Sequence, residues 1–177
     1  EALGTTIELD SGYIKARTPK LKGATFKMRT ISVGATANLL MGAVLADGVT
    51  VLENSALEPD IVDLGEFLIK MGAKIEGLGT DRIIITGVSK LSAVDYSIMP
   101  DRIEAGTYLL AGAATRGKIR ITNIVPSHIG SLIETMKTMG FFVETGKDWA
   151  SVSTGPSLKG EMVRTLPYPG FPTDLQA

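Results

Sequence analysis

Residues 35–46 contain no Asp, Glu, Lys or Arg, and neither do residues 105–115. A helix that is apolar on every side is expected to be buried on every side, and the many Ala and Gly residues allow close helix–helix approach. Each uncharged stretch is followed by an amphipathic one. Ile61, Val62, Leu64, Phe67, Leu68 and Met71 are interrupted by Asp60, Asp63, Glu66 and Lys70. Later, Ile129, Leu132, Ile133, Met136 and Met139 share a face, with Glu134 and Lys137 outward. That spacing predicts two amphipathic helices. Between the helices, Lys118-Ile119-Arg120-Ile121-Thr122 alternates cleanly, the mark of a strand in a sheet with one solvated face. Residues 82–86 are mostly apolar.

The order of these segments repeats. Gly34-Ala35-Thr36 leads into Asn38-Leu39-Leu40, a strand at 49–51 and Glu53-Asn54. Ala105-Gly106-Thr107 leads into Tyr108-Leu109-Leu110, a strand at 118–121 and Thr122-Asn123. The offset is about 69 residues, longer than a solenoid repeat. Met71-Gly72-Ala73 and Met139-Gly140-Phe141 end the second helix of each copy. Strand, turn and strand follow, at 74–76 with 83–86 and at 142–144 with 150–153. A leading strand is predicted for each copy, at 25–28 and 95–99. A third copy starts with a predicted strand at 161–165 and a helix that opens at Pro172 to Asp174. Residues 1–17 read as the closing hairpin of an earlier copy, with Ser11-Gly12 as the turn.

The fold class is therefore α/β (α+β), built from helix-strand-helix-strand-strand units with helices inside and sheets outside. This inverts the usual layering. The parts are a hairpin (1–17), one complete repeat (18–99), a second (100–158) and the start of a third (159–177). The chain begins at Glu1 without Met, and its last residues look like a helix opening. We expect it to be a piece of a longer protein.

Composition narrows the function. The 177 residues are 44% hydrophobic and 21% charged, enough apolar content for a packed core. With 18 basic and 19 acidic residues, a nucleic-acid surface resting on broad positive charge is not expected. Cys is absent and there is one His, which leaves no Cys-ligated or poly-His metal site and no thiol nucleophile. No apolar run reaches the length of a membrane span. No basic-then-apolar leader is visible, so no secretory address is read.

Candidate chemistry sits where a strand hands over to the uncharged helix: Thr30-Ile31-Ser32-Val33-Gly34, Pro100-Asp101-Arg102-Ile103-Glu104 and Pro172-Thr173-Asp174-Leu175-Gln176. Superposing the copies aligns Ser32, Arg102 and Asp174. A helix N-terminus suits an anion, and Gly34 lets backbone N–H groups approach a phosphate. From residue types alone, plain N-capping by Ser32 and Asp174 is the leading reading. Arg102 is a poor cap, which keeps the anion reading open. Glu58-Pro59-Asp60 opens an amphipathic helix, where acids complement the dipole. His128 reads as a surface or capping residue, Trp149 as a packing residue, and Gly77-Leu78-Gly79 as a hairpin turn.

These segments, together with Glu53-Asn54, Gly79-Thr80-Asp81-Arg82-Ile83 and Phe171-Pro172-Thr173-Asp174-Leu175-Gln176-Ala177, occur in the order seen in one family. The chain resembles the UDP-N-acetylglucosamine 1-carboxyvinyltransferases, a family of enolpyruvyl transferases. The Lys-Ser phosphate motifs of the related shikimate-pathway transferases are not seen. The resemblance implies an inside-out α/β barrel in two domains, each of three repeats, with the boundary near Met99-Pro100. Residues 1–99 would close the domain that carries the catalytic loop, and 100–177 would open the other. It implies transfer of the enolpyruvyl group of phosphoenolpyruvate to the 3-hydroxyl of UDP-N-acetylglucosamine, the first committed step of peptidoglycan synthesis, in the cytoplasm.

The resemblance assigns Asp174 as the base on the sugar hydroxyl. It assigns Thr30, Ile31, Ser32, Val33 and Gly34 to the UDP part. Glu58, Asp101, Arg102 and Glu104 match positions lining the cleft or its rim. No cofactor or metal is implied. The partners are the two substrates and the remainder of the parent chain, with no nucleic acid and no membrane. A basic residue common in the family is replaced by Thr30, with Arg29 adjacent. The family's catalytic-loop Cys or Asp lies upstream of Glu1, so these residues alone are expected to be inactive. The alternative is a non-catalytic nucleotide-sugar or phosphate-binding module of the same fold.

Overall fold

Ser11 and Gly12 both have positive φ, 52° and 85°, the backbone that a two-residue hairpin turn requires. They join β1 (Thr6–Asp10) to β2 (Tyr13–Arg17) in antiparallel register, with Glu8 opposite Lys15 and Leu9 opposite Ile14. Alternation places Ile7, Leu9, Ile14 and Ala16 on one face and the charged residues on the other. The computed structural model describes residues 2–175. These fall into two units, Glu1–Ser97 and Ile98–Ala177.

The first unit continues with β3 (Thr25–Lys27), α1 (Val33–Ala43), β4 (Val49–Glu53), α2 (Pro59–Lys70), β5 (Lys74–Glu76) and β6 (Arg82–Thr86). Its sheet runs β3-β4-β6-β5. β3 and β4 are parallel, with α1 as the crossover, and the other pairs are antiparallel. Thr50 and Leu52 of β4 and Ile83 and Ile85 of β6 are fully buried. Leu52, Ile83 and Ile85 join Leu40, Val44, Ile61 and Leu68 in one core. Each such aliphatic side chain contributes about 1.5–3 kcal/mol relative to exposure. The sheet is therefore covered by helices on one face only, while Val49 on the other face is exposed.

In the second unit the elements are α3 (Arg102–Ala114), β7 (Lys118–Thr122), a 3-10 turn (Pro126–Ile129), α4 (Gly130–Thr138), β8 (Phe142–Thr145) and β9 (Trp149–Ser153). A last 3-10 turn spans Thr173–Leu175. The antiparallel sheet runs β7-β9-β8. Leu109, Ile129, Leu132, Met136, Ala150 and Val152 form its core. The repeat is visible in detail at the helix ends. Gly72 and Gly140 follow α2 and α4 with φ of +106° and +98°. Ala73 N–H then donates to the Leu68 carbonyl and Phe141 N–H to that of Met136. A left-handed residue closes both helices, so both positions need Gly.

Four expectations need correction. Residues 95–99 form no strand. Residues up to Ser97 belong to the first unit, where the Tyr96 hydroxyl donates to Asp63 Oδ1 at 2.8 Å and its ring lies 5.1 Å from that of Phe67. Packing on α2 holds this segment off the sheet. Residues 161–165 likewise form no strand beyond one bridge from Thr165 to Phe171. The uncharged helices are not buried on every side, since Val33, Met41, Leu45 and Tyr108 are exposed. With the sheet on one side only, apolar residues on the opposite helix face have nothing within these residues to cover them. Finally, the helix expected at 105–115 starts earlier and takes in Arg102 and Glu104. The helix expected to open at Pro172 to Asp174 is a 3-10 turn over Thr173–Leu175; its continuation falls on Gln176 and Ala177, which lie outside the described residues.

Candidate functional site

Ser32 caps α1. Its backbone is extended (φ −145°, ψ 117°) and its hydroxyl accepts the Ala35 N–H at 3.2 Å. Its carbonyl accepts the Thr36 N–H at 2.9 Å and the Thr36 hydroxyl at 2.8 Å. The amides of Val33 and Gly34 precede Thr36, the first residue to donate an intrahelical bond, as at any helix start. Thr30, Ile31, Val33 and Gly34 are exposed, and a Cβ on Gly34 would meet nothing within 4 Å. The start of α1 is therefore open, with its dipole end and free amides presented to an anion. Capping and anion binding are not exclusive here, because the cap uses the Ser32 side chain and leaves the first two amides.

The loop after β4 is stitched to this helix start. Asn54, in the left-handed region (φ 59°), donates its amide to the Met28 carbonyl at 2.9 Å. The buried Thr36 hydroxyl accepts the Ala56 N–H at 3.0 Å. Two residues on, Glu58 occupies the N-cap position of α2 without a side-chain cap bond. It is buried, and its Oε2 has no partner among the described residues. The dipole-complementing role read from the sequence thus falls to Asp60, in the first turn of α2.

In the second unit the cap is Asp101. Its Oδ1 accepts the N–H groups of Ile103 at 2.7 Å and Glu104 at 3.2 Å. The residue equivalent to Ser32 is therefore Asp101 and not Arg102, and the repeat register moves by one. Arg102, the first residue of α3, is buried, with its guanidinium 5.8 Å from the ring centre of Tyr168. Asp101 and Glu104 line a cavity of about 300 Å³ with Pro100, Tyr108 and Asn123. Asp174 is exposed on the Thr173–Leu175 turn, while its neighbour Leu175 is buried against Gly106 and Leu132. Asp101, Arg102, Glu104 and the Asp174 turn are thus gathered around the first turns of α3. Thr36, Gly106 and Leu175 stand within motifs read from the sequence, which gave them no role of their own. The available signals were a Thr inside an uncharged helix and a Gly in a helix interior.

Other singled-out residues have structural places. His128 is half-buried in the 3-10 turn before α4. The Trp149 ring packs under the Arg120 guanidinium at 3.9 Å. Gly77 and Gly79, with φ of +79° and +77°, turn the β5–β6 hairpin. Tyr96 is pushed up to about 12 by burial and by the adjacent Asp63 carboxylate. Among the described residues no three His, Asp or Glu side chains gather to hold a metal ion, and no helix is long and apolar enough to cross a membrane.

The two repeated units, each with a helix start facing outward beside a strand end, define a class. Residues 1–177 match the EPSP synthase (3-phosphoshikimate 1-carboxyvinyltransferase) family, and the chain belongs to it. The chain is 55% identical over 176 residues to the UDP-N-acetylglucosamine 1-carboxyvinyltransferase of Bdellovibrio bacteriovorus, covering 99% of this chain and 42% of that protein. It is 51% identical over 179 residues to the protein of that name from Cellvibrio japonicus, covering 100% of this chain and 43% of the relative. It thus spans less than half the length of these curated relatives. Among solved structures, the enolpyruvyl transferase NikO from Streptomyces tendae superposes with a TM-score of 0.85 at 25% identity, over 99% of this chain and 45% of that one. An EPSP synthase from Acinetobacter baumannii shares the fold, with a TM-score of 0.60 at 22% identity over 90% of this chain and 39% of its own.

Proposed function

We propose that these residues form the middle of an enzyme that moves the enolpyruvyl group of phosphoenolpyruvate to the 3-hydroxyl of UDP-N-acetylglucosamine and releases phosphate. This is the first committed step of peptidoglycan synthesis, and both substrates place it in the cytoplasm. The observation that carries the reading is 55% identity along essentially the whole chain to a relative of that name.

The reaction is addition followed by elimination. The sugar oxygen attacks C2 of phosphoenolpyruvate, C3 takes a proton, and the hydroxyl proton passes to a base. The tetrahedral ketal then loses a proton from C3 and the phosphate from C2, which restores the double bond. The base on the sugar hydroxyl is Asp174, an exposed carboxylate on a turn anchored by buried Leu175. General-base catalysis of this kind contributes about 10²–10⁴-fold. Thr30, Ile31, Ser32, Val33 and Gly34 hold the UDP part, chiefly through the amides of the open helix start. Arg29 supplies positive charge beside them where Thr30 is neutral. Asp101, Arg102 and Glu104, at the start of α3, are further substrate-lining candidates in the second unit, and Glu58, at the start of α2, is one in the first. The domain boundary falls near Met99-Pro100.

Phosphate release tests this. The full-length protein containing these residues should release phosphate from phosphoenolpyruvate only when UDP-N-acetylglucosamine is present. The isolated 177 residues, which span less than half the length of the curated relatives, should release none. A non-catalytic binding module would show neither release by the full-length protein nor any need for the Asp174 carboxylate.

A further inference from the structure

Gly106 lies in the second turn of α3 and is buried. A glycine in a helix interior weakens the helix relative to alanine, so its presence there marks a packing requirement. The requirement is specific. A Cβ on Gly106 would stand 2.6 Å and 3.0 Å from the two terminal carbons of Leu175, and 3.1 Å from Leu132 Cδ2. Leu175 is itself buried and ends the 3-10 turn whose middle residue is Asp174. Leu175 is therefore seated in a slot that exists because α3 has no side chain at 106.

The chain leading to that turn is held on the same body. Ser131 Oγ donates to the Gly170 carbonyl at 3.2 Å, and Phe171 is buried. The Tyr168 ring faces the Arg102 guanidinium one turn before Gly106. Leu175 is the last of these anchors and the one covalently next to the carboxylate.

We propose that Gly106 is a positioning residue for Asp174: its bare Cα receives Leu175 and thereby sets where the adjacent carboxylate stands. This rests on the assignment of Asp174 as the base. Filling the slot (Gly106→Ala) or emptying its occupant (Leu175→Ala) moves the turn while leaving the carboxylate chemically intact.

The test is a mutant cycle in the full-length protein with phosphoenolpyruvate and UDP-N-acetylglucosamine. Displacement of a catalytic group by about 1 Å costs up to about 10²-fold, so Gly106→Ala and Leu175→Ala should each lower kcat by about 10- to 100-fold. KM for the nucleotide sugar should stay within about twofold. In an Asp174→Asn background neither change should lower kcat further, because the group they position is already gone. If Gly106→Ala fails to fold, Leu175→Ala decides alone. Undiminished kcat in a folded variant, or losses that multiply with that of Asp174→Asn, overturns the proposal. Full turnover by Asp174→Asn alone overturns the base assignment itself, a separate result.

Discussion

The hydroxyl of Thr36 accepts the backbone N–H of Ala56 at 3.0 Å, while donating to the Ser32 carbonyl at 2.8 Å. One fully buried side chain thus ties the loop after β4 to the start of α1. Thr36→Val keeps the shape but leaves the Ala56 N–H buried without an acceptor, which costs about 1–3 kcal/mol. Chemical denaturation should show a loss of that size for the first unit. A change under about 0.5 kcal/mol, the range of ordinary surface substitutions, would mean that the hydroxyl does not hold the loop.

Ser32 separates capping from anion binding. Ser32→Ala removes the acceptor for Ala35 N–H and should cost about 1 kcal/mol of stability. Ser32→Asp keeps a good cap but brings a negative charge to the helix start. It should retain stability and weaken UDP-N-acetylglucosamine binding by calorimetry. Undiminished affinity in the folded Asp variant would remove the phosphates from this end of α1.

Tyr96 gives the first unit an alkaline limit. Its hydroxyl, near 10 when free, is pushed up to about 12, first by burial and then by Asp63. A phenol whose folded value is raised stabilises the fold fully below pH 10, and the contribution is lost as pH rises through about 12. Stability of the wild type should therefore fall more steeply between pH 10 and 12 than that of Tyr96→Phe. In an absorbance titration the Tyr96 phenol should ionise late, a step that Tyr96→Phe removes. Parallel stability curves for the two proteins would show that the phenol is not shielded.

Trp149 is the one tryptophan and reports on the second unit. Register pairs Thr122 with Trp149 and Arg120 with Ser151, so Arg120 and Trp149 are diagonal neighbours. Arg120→Ala should change the Trp149 emission and cost about 0.5–1 kcal/mol. Unchanged emission would place the guanidinium away from the ring in solution.

The repeat was legible because both copies spell the same physical constraints. An uncharged helix, an amphipathic helix closed by Gly72 or Gly140, and a hairpin recur in one order. What failed was whatever depends on distant partners. The apolar–polar run at 95–99 reads as a strand, but Tyr96 is held by Asp63, over 30 residues away in sequence, and the run never reaches a sheet edge. The position matching Ser32 in the second copy was set one residue late: the carboxylate of Asp101 accepts from the free amides of α3, whereas the guanidinium of Arg102 only donates. Of the candidate site, the Ser32 cap was readable, because capping is local. Thr36 and Gly106 were not, because their roles lie in Ala56 and Leu175, neither of which is a sequence neighbour.

Asp174→Asn in the full-length protein tests the catalytic assignment most directly. The measured pair is kcat for phosphate release and Kd for UDP-N-acetylglucosamine. A kcat loss of about 10²-fold or more, with Kd nearly unchanged, is the predicted result for a general base. Equal losses in both, or none in either, would contradict it and leave Asp174 a binding or capping residue.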